Sequence, residues 1–257
     1  MYLSLNFTAY KTILIKEILR FSRIWLQTIV PPAITMGLYF IIFGELIGSQ
    51  LSDIHGYSYM DYIVPGLILM AVITNSYANV VSSFYGTKFQ HHIEELLISP
   101  VANITILVGF VSGGVARGLA VGLVVTLVSL FFTHLNVDSL LLTLFVALLT
   151  SILFSLAGFI NAVFANSFDD ISIIPTFVLT PLTYLGGVFY SIEMLPEVWQ
   201  NISLFNPVLY MVSAFRQGIL GVSDTDLITA LSIILIFIVL LTLFSLWLLD
   251  KGVGIKK

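Results

Sequence analysis

Long runs of apolar residues alternate with short polar stretches along this chain of 257 residues. A helix needs roughly 20 mostly apolar residues to cross a membrane, and six runs meet that requirement. No alternating strand pattern is sustained, and backbone groups inside lipid must bond internally, so the runs predict helices rather than barrel strands. The predicted spans 1 to 6 are residues 25–44, 63–83, 104–132, 140–164, 171–190 and 227–249.

The composition also indicates a membrane protein. Hydrophobic residues make up 58% of the chain and charged residues only 9%, whereas a soluble domain carries about 25% charged residues. A soluble protein with so few charges would expose apolar surface, so lipid must be the solvent for most of this chain. We therefore expect an all-α polytopic membrane protein with a single transmembrane domain over residues 1–257. The absence of cysteine excludes disulfides and thiolate chemistry.

The positions of lysine and arginine predict the orientation of the spans, because cytoplasmic connections carry an excess of these residues. The connections 45–62 and 133–139 hold none of them. The N-terminal arm, the connection after span 2 and the C-terminal tail do, which predicts that all three are cytoplasmic. Their basic residues are Lys11, Lys16, Arg20, Arg23, Lys88, Lys251, Lys256 and Lys257, while Arg216 falls on the opposite side.

The N-terminal arm, residues 1–24, has the pattern of an amphipathic helix. Apolar side chains recur on one face, and Lys16, Arg20 and Arg23 share another. Such a helix lies along the inner leaflet with its apolar face in the membrane. A simple anchor that follows the positive-inside bias is an equally good interpretation, and the two are compatible. The apolar positions are Phe7, Tyr10, Leu14, Ile18, Phe21 and Trp25.

Residues 88–100, KFQHHIEELLISP, form the most polar helix-like segment of the chain. Pro100 ends it, because a residue before proline is pushed out of helical geometry. The segment is about 20 Å long, too short and too polar to cross a membrane. We expect it to lie on the cytoplasmic surface with its polar face towards a partner; a solvated connector is the alternative. One face holds Phe89, Ile93, Leu96 and Leu97, and the other holds Lys88, His91, His92, Glu95 and Ser99.

Polar stripes on two spans define a candidate transport path. Such faces should point into protein rather than lipid. They could line a path, or they could form interhelical hydrogen bonds worth about 1 kcal/mol each. The spans carry no chain of carboxylates or histidines, which argues against a transporter coupled to protons or sodium. The candidate path residues are Asn75, Asn79 and Ser82 in span 2, and Thr176, Thr180 and Thr183 in span 5.

Other residues shape individual spans. Arg117 lies within span 3, where a charge is costly unless it is paired or reaches the interface, and we place it near the cytoplasmic interface. Pro175 and Pro181 each remove a backbone donor from span 5 and predict kinks there. Small residues four positions apart let helices approach closely in lipid. In span 3 these are Gly109 and Gly113 on one stripe, and Gly114, Gly118 and Gly122 on another.

Residues 191–222 fit neither an external loop nor a span. They are too apolar for the first and are interrupted by Pro196 and Pro207, which argues against the second. We expect short external helices that lie at the interface or re-enter the membrane. Non-helical backbone at that depth needs protein or a wet cavity around it.

No motif for catalysis or nucleotide binding is present in the sequence. There is no GxxxxGK[ST] phosphate loop, since YGTKF does not fit that pattern, and HExxH and GxSxG are also absent. Adjacent histidines 91 and 92 point to different helix faces, and no further histidine follows four residues later. We therefore expect no catalytic residues, no metal, no cofactor in this chain and no nucleic-acid partner. Energy for any work must come from elsewhere.

Three motifs make the chain similar to the membrane subunit of bacterial ABC-2-type transporters. They are IEELLISP after span 2, TYLGGVFYSIEMLP at the end of span 5 and LFNPVLYMVSAFRQGILG before span 6. Longer strings resemble those of the YadH-like inner-membrane permeases of Gram-negative bacteria: RIWLQTIVPPAITMGLYFIIFG, DYIVPGLILMAVITNSYANVVSSF and FDDISIIPTFVLTPLTYLGGVFYS. The resemblance covers essentially the whole chain.

This resemblance implies that residues 88–100 are a coupling helix, which docks on a separate cytoplasmic ATPase that binds ATP and magnesium. The implied unit is two membrane subunits, expected as two copies of this chain, with two ATPase subunits. The implied direction is export, of a drug-like, lipid or lipid-linked glycan substrate. A gradient-driven transporter or channel and a non-transporting scaffold are the alternatives. The residues that match the acidic, leucine-rich family pattern are Glu94, Glu95, Leu96, Leu97, Ser99 and Pro100.

Overall fold

The computed structural model describes residues 2–254, so Lys256 and Lys257 of the predicted cytoplasmic tail lie outside the described residues. Helices dominate this range. Two π-helical segments, Phe40–Ile47 and Pro175–Leu179, follow α3 and α8 directly. The α-helices are α1 (Tyr2–Arg23), α2 (Trp25–Thr28), α3 (Val30–Tyr39), α4 (Tyr59–Phe89), α5 (His92–Ile98), α6 (Asn103–Ser129), α7 (Leu140–Phe164), α8 (Asp170–Ile174), α9 (Thr180–Tyr184), α10 (Glu197–Ser203), α11 (Pro207–Leu220) and α12 (Leu227–Lys251).

Five helices within residues 2–254 are long and apolar enough to cross a membrane. They are the run Trp25–Gly44 and helices α4, α6, α7 and α12, which confirms a multi-pass, all-helical protein. Predicted span 5 is not among them. It consists of α8, the second π segment and α9, and its helix ends at Tyr184. That helix is about 22 Å long, shorter than the roughly 30 Å hydrocarbon core, so the six-span count stays a prediction.

Helix α4 forms the centre of the bundle and extends beyond the predicted span 2 at both ends. The hydroxyl of Ser58 accepts a hydrogen bond from the backbone N–H of Asp61 and caps the N-terminus. Helices α6, α7 and α11 pack around α4. The aromatic rings of Phe84 and Phe110 meet edge to face between α4 and α6. Most of α4 is therefore buried in protein, although its composition would also suit lipid.

Both glycine stripes of α6 lie at close helix contacts, as the sequence predicts. A Cβ added to Gly109 would lie 2.8 Å from Ile13, and one added to Gly113 would lie 2.5 Å from Glu17, both in α1. The stripe that begins at Gly114 faces α4 instead. The absence of side chains at these positions therefore lets α6 pack tightly against two helices at once.

Helix α1 runs alongside the first half of α6 in the same direction. Its side towards the bundle carries Ile13, Glu17 and Phe21, which are buried. Of the predicted apolar face, Phe7 is 67% exposed and Trp25 is 52% exposed. A lipid-facing surface would have these exposures, but the location of α1 at the inner leaflet stays a prediction.

Short helices occupy the predicted external segment. Helix α10 exposes apolar side chains, among them Val198 and Trp199. Helix α11 is largely buried and packs against α4, α7 and α12. The side chain of Asn206 caps α11 by accepting a hydrogen bond from the backbone N–H of Val208, and Gly221 ends it in the left-handed region. The placement of this segment relative to the membrane stays a prediction.

Candidate functional site

The segment predicted to dock on a partner is divided in the structure, which corrects the expectation of one helix over residues 88–100. Helix α4 continues to Phe89, and the chain then turns at His91, whose φ of 61° is left-handed. The ring of Phe89 lies 5.2 Å from that of Phe168 and so packs with the bundle end rather than with α5. Helix α5 therefore covers only residues His92–Ile98.

Helix α5 is attached to the bundle by Ile93, which is 1% exposed, while Leu96 and Leu97 are half-buried. Ser99 donates a hydrogen bond to the carbonyl oxygen of Leu96 at 2.6 Å and so stabilises the end of the helix. Within the described part of the chain, no group of three or more His, Asp or Glu side chains could hold a metal ion. The exposed residues of the segment include His91, His92, Glu94, Glu95 and Ile98, and Ile98 is 85% exposed.

Lys88 does not share this exposed surface. Its Nζ donates hydrogen bonds to the carbonyl oxygens of Val163 and Ala165 at 2.6 and 2.7 Å. These carbonyls lie at the C-terminus of α7, where backbone acceptors lack helical partners and the helix dipole is negative. Lys88 thus joins the adjacent ends of α4 and α7.

Two arginines and a glutamate meet the polar stripe of α4. Arg20 donates to the backbone and side-chain oxygens of Asn79 at 2.9 and 2.8 Å and lies 3.2 Å from Glu17. Arg117 donates to the side-chain oxygen of Asn75 at 3.2 Å. Two serines of α4 complete the arrangement. We call these residues the polar cluster: Glu17, Arg20, Asn75, Asn79, Ser82, Ser83 and Arg117.

The polar cluster shows how the predicted path residues of α4 are used. Asn75, Asn79 and Ser82 each bond a guanidinium from another helix. These are the interhelical hydrogen bonds that the sequence allowed, and a role in a transport path stays a prediction. The sequence reasoning missed Glu17, because it considered acids only within the spans. Its position one turn after Ile13, on the face that meets α6, could have indicated burial.

The predicted path residues of span 5 are not brought to the polar cluster. Thr176 and Thr180 are exposed, and Thr183 is buried. Thr180 donates to the carbonyl oxygen of Pro175 at 2.9 Å, and Thr183 donates to that of Thr180 at 2.8 Å. These hydroxyls therefore satisfy backbone acceptors where prolines interrupt the helix.

A second charged group, which the sequence did not predict, lies at the other end of α4. Arg216 and Asp224 are buried and form an ion pair of 2.9 Å. The Arg216 guanidinium also lies 3.9 Å from the ring centre of Tyr62 and donates to the carbonyl oxygen of Gly187 at 2.6 Å. Ser191 donates to the Asp224 carboxylate at 2.7 Å. Asp224 thus neutralises Arg216, the arginine that lies on the predicted external side against the positive-inside bias.

Known proteins match this chain over most of its length. Residues 8–220 match the family model of the ABC-2 type transporter. The chain is 57% identical over 253 residues to the inner membrane transport permease YadH of Escherichia coli strain K12, which covers 98% of this chain and 99% of that protein. It is 23% identical over 215 residues to nodulation protein J of Rhizobium leguminosarum bv. viciae, which covers 83% of each chain.

Proposed function

Because this chain belongs to the ABC-2 type transporter family, whose members are membrane permeases of ABC transporters, we propose that it is the permease subunit of an ATP-driven exporter. The proposed complex contains two copies of this chain and two copies of a separate ATPase, which binds ATP and magnesium. The related YadH is named an inner membrane permease, and we assign this chain to the bacterial inner membrane with both termini in the cytoplasm. The cargo leaves the cytoplasm or the inner leaflet.

The exposed surface of α5 is the observation that supports ATPase docking. Glu94 and Glu95 lie in its first turn, and Ile98 follows one turn later with 85% of its side chain exposed. An apolar side chain bordered by charged residues has the composition of a small protein interface, with an apolar centre and a polar rim. A solvated connector would need no such apolar exposure.

Motion of a docked ATPase would be transmitted to the membrane spans through the contacts that connect α5 to the helix bundle. Ile93 holds α5 against the bundle, and the turn at His91 connects it directly to α4. Lys88, one turn earlier, bonds the end of α7. A displacement of α5 would therefore act on α4 and α7 together, since packed helices move as rigid bodies rather than deforming continuously.

Gentle purification from native membranes tests this proposal. We expect a stoichiometric P-loop ATPase in the preparation, and we expect the double variant E94K/E95K to lose it while remaining folded. The double variant E193K/E197K is the matched control, because it reverses two exposed glutamates in the predicted external segment. Retention of the ATPase by E94K/E95K would overturn the docking role of α5.

The alternatives predict different results. Substrate flux in proteoliposomes that contain this chain without an ATPase would identify a gradient-driven transporter or channel. A bound partner without ATP-dependent movement of any substrate across the bilayer would identify a scaffold. An ABC permease requires both the ATPase and ATP hydrolysis for transport.

A further inference from the structure

Arg117 carries a charge that the surrounding protein does not neutralise. Among the described residues, its only side-chain hydrogen bond is to the neutral Asn75, and no carboxylate forms an ion pair with it. The neighbouring carboxylate, Glu17, pairs with Arg20 and accepts a hydrogen bond from Ser83. The polar cluster thus holds two guanidinium groups and one carboxylate, which leaves one positive charge without a counterion.

The donors of these arginines are also incompletely used. The Nε atoms of Arg20 and Arg117 are both buried, and neither has a hydrogen-bond partner within the part of the chain that the structure describes. A buried, unsatisfied donor on a charged group is costly. Inside a membrane protein, an arginine of this kind marks a functional site more often than a structural one.

A cavity of about 380 Å³ lies beside Arg117, between span 1 and α4. It opens outward, because Gln27, Thr35 and Thr74 on its walls are exposed. The cavity therefore combines a positive charge and hydroxyl and amide groups with a largely apolar wall. Its polar lining residues include Gln27, Thr28, Thr35, Thr74, Asn75 and Arg117.

The depth of the cavity indicates which kind of molecule reaches it. Asn75 lies 16 residues after Tyr59 and 14 residues before Phe89, the two ends of α4. It is 8 residues from the cytoplasmic end of predicted span 2 at residue 83, so the Arg117 contact lies about 12 Å from that end of the span. Gln27, at the beginning of span 1, shares the cavity. In the proposed orientation this is the inner-leaflet half of the membrane, where an amphiphile can enter sideways from lipid.

We infer that this cavity binds the anionic head group of a membrane amphiphile through Arg117, with the apolar tail directed along span 1 towards lipid. This inference rests on the proposed function, because it gives the class of substrate that the exporter would accept. A phosphate or carboxylate would supply the missing counterion and could occupy more than one guanidinium N–H.

The test uses the full-length chain in nanodiscs of phosphatidylcholine with a minor fraction of phosphatidylglycerol, followed by native mass spectrometry of retained lipids. We expect the wild type to prefer phosphatidylglycerol about tenfold, and R117Q to lose the preference. R117K should keep part of it, since lysine keeps the charge without the planar fork. K251Q is the matched control, because it removes one exposed charge that does not line the cavity and should leave the preference unchanged.

A cavity-filling variant keeps the inference testable if R117Q does not fold. T35W places a large ring at the cavity wall without removing Arg117 or Asn75, and it should also lose the preference. Wild-type preference in both R117Q and T35W would overturn the inference. Displacement of phosphatidylglycerol by millimolar inorganic phosphate would assign the site to a soluble anion and overturn the amphiphile. The measurement needs no ATPase, so its failure is distinct from failure of the ATPase purification.

Discussion

The hydroxyl of Ser83 in α4 donates a hydrogen bond of 2.5 Å to the carboxylate of Glu17 in α1, although the residues are 66 positions apart. The Glu17 side chain is fully buried, and Arg20 pairs with it at 3.2 Å. Polar contacts as well as apolar ones thus hold the N-terminal helix against the centre of the bundle.

We expect E17Q to lower the free energy of unfolding by about 2–3 kcal/mol, because it leaves Arg20 without its carboxylate. The value lies below that of a fully buried pair, since the Arg20 side chain is 28% exposed. Unfolding in mild detergent with increasing dodecyl sulfate measures it. E95Q makes the same change at an exposed position and should have no effect; equal losses in the two variants would contradict the prediction.

Breaking the ion pair between Arg216 and Asp224, at the other end of α4, should lower the free energy of unfolding more than E17Q does. D224N leaves the buried Arg216 charge without a partner, and we expect a loss of about 3–5 kcal/mol in the same unfolding measurement. D226N is the control. The backbone N–H of Thr229 lowers the pKa of Asp226, so this exposed carboxylate caps α12, and asparagine caps a helix equally well. A loss for D226N as large as that for D224N would argue against a specific role of the ion pair.

Two glycine-to-alanine variants should change stability in opposite directions. At Gly158, an added Cβ would lie 2.6 Å from the backbone oxygen of Tyr77, so G158A should cost about 1–3 kcal/mol through overpacking of α7 against α4. At Gly86, no atom lies within 4 Å of the added Cβ. G86A should therefore raise the stability of α4 by up to about 1 kcal/mol. Unfolding midpoints that shift in the same direction would contradict the packing described here.

Substitutions of two isoleucines in α5 should separate its docking on the ATPase from its attachment to the helix bundle. I98S should leave the free energy of unfolding unchanged and reduce recovery of the ATPase, because the Ile98 side chain is exposed. I93A should lower the free energy of unfolding by about 2–4 kcal/mol, because it removes a buried side chain. Quantitative mass spectrometry of the purified complex gives the recovery. Full recovery with I98S would exclude this side chain from the interface.

A substitution of Lys88 tests whether this side chain only links the ends of α4 and α7 or also contacts the ATPase directly. K88M removes the charged donor from the carbonyls at the end of α7, and we expect a loss of stability of about 1–2 kcal/mol. The purified variant should still bind the ATPase. K251M, at an exposed lysine in the last turn of α12, is the control. Loss of ATPase binding with unchanged stability would show that Lys88 touches the partner.

The helical architecture could be predicted from the amino-acid sequence, because it depends on properties of each segment alone. The apolar run 140–164 coincides with α7, and the run 227–249 lies within α12. The predicted runs match the observed helices because the length needed to cross lipid and the backbone hydrogen bonds of a helix are both set within a single segment. The change from α-helix to π-helix at Pro175 in span 5 is also consistent with local chemistry, since a proline lacks its N–H wherever the helix packs.

Packing between segments decided the rest. The periodicity of α1 marks its apolar and basic faces, but only its contact with α6 buries Glu17 and aims it at α4. The pairing of Arg216 with Asp224 and the turn at His91 likewise depend on neighbours that no local pattern specifies. A sequence pattern shows which face of a helix is polar. Which faces meet, and whether a charge finds its counterion, depends on the free energy of the assembled bundle.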